Sequence, residues 1–96
     1  MIKIVKSMEG RCLKVALEGE LDTVTSPELE RELQDLENID EVTLDLKDLA
    51  YTSSAGLRVI FGLKRRLAGR ALKLENIGPA VREVLDMTGS SALLGL

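Results

Sequence analysis

Histidine is missing from this chain, cysteine occurs once, at Cys12, and no apolar run approaches the length of a membrane span. Without histidine, a metal centre or a Cys/His nucleophile would have to be built from carboxylates and one isolated thiol, which argues against both. One cysteine cannot close an internal disulfide, and Cys12 falls in an alternating strand pattern where it reads as a small, half-buried apolar residue. An excess of positive charge is lacking too: 13 basic against 16 acidic residues leave a formal charge of −3, which offers no field to a phosphate backbone. No glycine-rich loop of the kind that cradles nucleotide phosphates occurs. The chain opens on Ile2 and Lys3 without a charged segment, an apolar core and a cleavage site in succession, so no signal peptide is expected. These gaps predict a cytoplasmic protein with no metal and no cofactor, and with neither nucleic acid nor membrane as partner.

What is present suits one compact domain over residues 1–96, with 45% hydrophobic and 30% charged residues. A domain of this size buries only about 60 to 70% of the surface its unfolded chain exposes, so nearly every apolar face must be used. Period-two alternation marks strands at Ile2–Val5, Leu13–Glu18, Val42–Leu46 and Leu72–Glu75. In the second, Leu13, Val15 and Leu17 oppose Lys14, Ala16 and Glu18; in the third, Val42, Leu44 and Leu46 oppose Thr43 and Asp45. One wet face per strand predicts helices on a single side of the sheet, because a doubly wound sheet needs near-continuous apolar strands.

Helical spacing fills the gaps between strands. Thr25-Ser26-Pro27-Glu28 offers a hydroxyl cap and a first-turn proline, followed by a stripe of Leu29, Leu33 and Leu36. A second helix starts near Ser53 or Ser54 and carries Val59, Ile60, Leu63 and Leu67 on one side, with Arg58, Arg65 and Arg66 largely on another, until Gly69 stops it. A third opens at Pro79, turns Val81, Val84 and Leu85 inward, allows an Arg82–Asp86 pair outside, and reaches Gly89. Met8–Arg11 is short enough for a hairpin turn, and the apolar tail Ser90–Leu96 is expected to cap the core through Leu93, Leu94 and Leu96. The order strand, strand, helix, strand, helix, strand, helix is that of a single α/β domain.

Two loops place polar, acidic and small residues directly after a strand's carboxyl end, the usual functional edge of such a sheet. They are Gly19-Glu20-Leu21-Asp22-Thr23 and Asp48 through Gly56, which includes Thr52-Ser53-Ser54. Serine and threonine are also ordinary helix caps, Gly56 can serve close packing, and Asp22 can bond loop amides. On the pattern alone, cap and functional group remain equally open. A hydrolase using Asp22 and Asp48 lacks a histidine and any paired acid and base spacing.

Tyr51-Thr52-Ser53-Ser54-Ala55-Gly56-Leu57-Arg58-Val59-Ile60 resembles the signature of STAS domains in anti-sigma factor antagonists. Gly19-Glu20-Leu21-Asp22 before it, and Asn76-Ile77-Gly78 through Thr88-Gly89 after it, match in order and at fitting distances, so the similarity covers nearly the whole chain. The resemblance implies a STAS-like α/β domain, a mixed four- to five-stranded sheet with helices packed on one face. It also implies a protein without catalytic residues that binds an anti-sigma factor/serine protein kinase, is released when a serine at the position of Ser54 is phosphorylated, and is reset by a serine phosphatase. Carried over residue by residue, the partner surface comprises Asp22, Thr23, Thr52, Ser53, Ser54, Gly56 and Arg58. Ser53 stands where well-known members have aspartate, and Ala55 where they have a second serine, so Ser53 is the rival to Ser54 as acceptor. A constitutive STAS subunit of a transporter or signalling complex, with Ser54 as a cap only, is the alternative reading.

Overall fold

A computed structural model describes residues 1–96. The sheet has four strands in the order β1 (Ile2–Glu9), β2 (Cys12–Leu21), β3 (Glu41–Thr52) and β4 (Ala71–Glu75). The first pair is antiparallel, across a two-residue turn in which Glu9 faces Cys12 and Gly10 takes a φ of 60°. That is the position where a tight hairpin of the II′ kind requires glycine. The other pairs are parallel, and α1 (Ser26–Glu32) and α2 (Ser54–Leu67) make the connections between them. Helix α3 (Pro79–Met87) and a single turn, α4 (Ser90–Leu93), complete the chain.

Alternation decides which side of the sheet the helices occupy. Leu13, Val15 and Leu17 of β2 and Val42, Leu44 and Leu46 of β3 are all buried, in one core with Leu29, Ile60, Leu63, Leu67, Val81 and Leu85 of the helices. A one-residue slip of either strand would turn its whole set to solvent, so burial fixes the register. The opposite face stays open and carries cross-strand ion pairs, Lys73 with Glu41 at 3.0 Å and Lys14 with Glu75 at 3.9 Å. Such exposed pairs contribute little to stability, and they keep the face wet.

The strands run longer than alternation suggests. In β3, Asp45 pairs opposite Ala16, Asp48 opposite Glu18, Leu49 opposite Gly19 and Tyr51 opposite Glu20, so β3 carries an extra residue at two points. Each bulge breaks the period of two, which hides the second half of the strand from a periodicity reading. Asp48 therefore lies within β3 rather than in a following loop, and Gly19 to Leu21 likewise belong to β2. Gly19, at φ 108°, is required where the amide of Glu20 bonds the Met1 carbonyl, since a Cβ there would overlap that oxygen.

Helix α1 ends at Glu32, earlier than its leucine stripe implies, yet Leu33, Leu36 and Ile39 remain in the core. Two arginines supply the donors that a longer helix would have provided. Arg66 donates to the carbonyls of Leu33 and Gln34, and Arg70 to those of Leu36 and Ile39 at 2.9 and 2.6 Å. Helix α2 stops with Ala68 in the left-handed region at φ 50°, one residue before Gly69. The Arg82–Asp86 pair forms at 3.4 Å. Of the three tail leucines only Leu94 caps the core; Leu93 and Leu96 are exposed.

Candidate functional site

Parallel pairing sets Leu21 at the end of β2 opposite Thr52 at the end of β3, so the segments that follow them emerge side by side. The amide of Ser53 donates to the Leu21 carbonyl at 2.9 Å and ties the two exits together. Asp22 and the Thr52-Ser53-Ser54 run thus share one rim of the sheet.

Asp22 organises its side of the rim. Its Oδ1 accepts the amides of Val24 at 2.9 Å and Thr25 at 3.0 Å, and these bonds, Thr25 foremost, hold its carboxyl below the usual carboxylate range. The turn continues into α1 through the Ser26 amide, which donates to the Asp22 carbonyl at 2.9 Å. Thr25, expected as a side-chain cap, instead points back: its hydroxyl donates to the Glu20 carbonyl at 2.7 Å and accepts the Asp22 amide at 2.9 Å. One Asp22 oxygen satisfies two consecutive amides and so closes this turn where a threonine cap was expected.

On the other side, Ser53 is the residue before α2, extended at φ −101° and ψ 177°. Its carbonyl accepts the first helical amide, from Leu57, at 3.1 Å. Its hydroxyl caps nothing: Oγ is sealed from solvent and has no hydrogen-bond partner. Ser54, the first residue of α2, is exposed, as is Arg58 one turn on. The first turn of α2 contains no acidic residue, so its amides meet no anion supplied by the helix itself.

Thr52 and Gly56 depart from expectation. Thr52 is fully buried, and Gly56 is buried against it so closely that a Cβ would overlap the Thr52 hydroxyl and the Leu21 side chain. Neither presents a side chain to a partner; both set how closely α2 approaches the strand ends. The accessible rim is Asp22, Thr23, Ser54 and Arg58, with Asp22 half-buried; Ser53 is half-buried too, but only its main chain reaches the rim, its hydroxyl being sealed. To these the structure adds Val24, 79% exposed between Asp22 and the first helix. An apolar residue flanked by threonines, outside every helical or strand stripe, is the sequence feature that marks it.

Asp48 does not share the rim. It pairs with Glu18, which places it about 10 Å back along the sheet at strand rise per residue. Cys12 sits at the far end of β2, where its thiol donates to Glu41 Oε2 at 3.2 Å, and that hydrogen bond pushes its pKa up. No group of three or more histidine, cysteine or acidic side chains is arranged to hold a metal ion, and no helix is long and apolar enough to cross a membrane.

Residues 3–95 match the family model described as STAS domain. The anti-sigma-B factor antagonist of Bacillus subtilis (strain 168) is 31% identical over 87 residues, covering 88% of this chain and 80% of that protein. An anti-sigma factor antagonist from Mycobacterium paratuberculosis superposes with a TM-score of 0.88 at 23% identity, over 97% of this chain and 82% of that one. The anti-sigma factor antagonist SpoIIAA in its unphosphorylated form superposes with a TM-score of 0.83 at 20% identity, over 94% and 84%. At such identities the two superpositions speak for the fold.

Proposed function

The chain belongs to the STAS domain family, and from that premise we propose that it is an anti-sigma factor antagonist switched by phosphorylation of Ser54. In this reading the unmodified rim binds an anti-sigma factor that is also a serine kinase, and so frees a sigma factor to direct transcription. The kinase transfers the γ-phosphoryl group of ATP to Ser54 Oγ. The new Oγ–P bond replaces the bond to the β-phosphate oxygen, ADP leaves, and the serine proton passes to a base of the kinase. A serine phosphatase reverses the modification.

The observation that carries this reading is the contrast between neighbouring hydroxyls. Ser54 is exposed at the start of α2, whereas Ser53 Oγ is sealed and out of reach. Asp22, its carboxyl held below the usual range, shares the rim with Ser54 across the Leu21–Ser53 bond, so phosphate, adding about 1.5 to 2 negative charges, adds like charge to that rim. Alone in water this costs little, because the uncapped amides and dipole of α2 accept an anion. In an interface that excludes water, like-charge juxtaposition costs on the order of several kcal/mol, and the partner lets go.

Purified chain incubated with an anti-sigma factor kinase and Mg-ATP should gain one phosphate, on Ser54, and lose the kinase complex. Ser53→Ala should behave as wild type, and Ser54→Ala should take no label and stay bound. A complex that ignores Ser54→Asp, with no label incorporated, would instead favour a constitutive STAS subunit.

A further inference from the structure

Arg58 stands four residues after Ser54 on α2, the spacing that brings two side chains together on one helix face. Both residues are exposed. The five ion pairs of the molecule engage Lys6, Arg11, Lys14, Lys73 and Arg82, and Arg58 takes part in none of them. No acidic residue lies in the first turn of α2, and the sealed Ser53 hydroxyl, itself without a partner, leaves the amides there uncapped. Asp22, across the Leu21–Ser53 contact, has Oδ1 committed to the amides of Val24 and Thr25. The start of α2 therefore combines a free guanidinium, uncapped amides and the positive end of a helix dipole around an exposed hydroxyl.

We propose that Arg58 is the internal counter-ion of phosphorylated Ser54, its guanidinium closing over the phosphate so that modification withdraws a cation from the rim. The inference rests on Ser54 as the phosphoacceptor. A planar guanidinium can meet two phosphate oxygens at once, which a lysine ammonium cannot do in the same way. Phosphorylation then changes the partner surface twice, by adding an anion and by engaging the arginine that an acidic group on the partner would otherwise meet.

Full-length chain with phosphoserine incorporated at position 54 during translation tests this without any kinase. Its result is therefore separate from whether Ser54 is the natural acceptor, which phosphopeptide mapping decides. Phosphorus NMR follows the second ionisation of the phosphate, ordinarily near about 6. Arg58→Ala should raise that pKa by about half a unit, Arg58→Lys should fall between, and Arg65→Ala, about three turns along the helix from Ser54, should leave it unchanged. An identical pKa in wild type and Arg58→Ala overturns the proposal, and so does an equal rise in Arg65→Ala, which would mark a general field rather than a pair.

Discussion

The Ser53 amide and the Leu21 carbonyl, 2.9 Å apart, form the single backbone bond that joins the exit of β3 to the exit of β2 beyond their last paired residues. It sets the start of α2, and with it Ser54 and Arg58, against the turn that Asp22 holds.

Packing under that bond predicts opposite outcomes for two glycines in one helix. Gly56→Ala forces a methyl into the Thr52 hydroxyl and Leu21, and should destabilise the fold by about 1–3 kcal/mol in urea unfolding. Gly62→Ala meets only the end of the Arg65 side chain at 3.9 Å and should stabilise by up to about 1 kcal/mol through helix propensity. Equal effects would show that close approach at Gly56 is unimportant.

The Arg70 fork is the second structural dependency. It bonds the carbonyls of Leu36, Ile39, Leu67 and Arg66 with no carboxylate involved. Arg70→Lys loses the fork geometry and should cost about 1–2 kcal/mol. Hydrogen exchange should quicken most between Leu33 and Asp40. Uniform quickening across the chain would disprove a local staple.

For Asp22 the sign of the pH dependence follows from its lowered pKa. A carboxyl whose folded value lies below its unfolded value, about 3.9, contributes stability that is present above the unfolded value and lost as pH falls through the folded one. Urea midpoints of wild type should therefore drop more between pH 6 and pH 2 than those of Asp22→Asn, which keeps an oxygen for the same amides but does not titrate. Parallel declines would remove the carboxylate from the account.

Val24 predicts a separation of binding from stability. With 79% of its surface exposed, Val24→Asp should leave the unfolding midpoint within about 0.5 kcal/mol of wild type. If the rim binds the kinase proposed above, the same change should weaken that binding tenfold or more, on the order of 1–2 kcal/mol. Asp22→Lys should also lose the partner. Retention of full affinity by both variants would place the interface elsewhere.

Much of this molecule is legible in its residues because alternation in Leu13–Leu17 and Val42–Leu46 admits only one buried face, and the helices have nowhere else to pack. The later half of β3 is not legible, since two bulges defeat a period-two reading. The length of α1 is not either, because the donors that replace its missing turn come from Arg66 and Arg70, more than thirty positions away. At the rim, the types of residue could be read from the chain, but their accessibility could not. Whether a hydroxyl beside Gly56 faces inward, as Thr52 does, or outward, as Ser54 does, depends on where the strand ends and the helix begins.

Parallel pairing of β2 with β3 also dates the rim in the folding of the chain. Helix α2 is a local structure that can flicker into existence alone, serines included, whereas Leu21 and Thr52 meet only after a loop of on the order of thirty residues has closed. A nascent or collapsed chain would display Ser54 with no Asp22 beside it. In the proposed complex, a partner that reads both at once would therefore read completion of the fold.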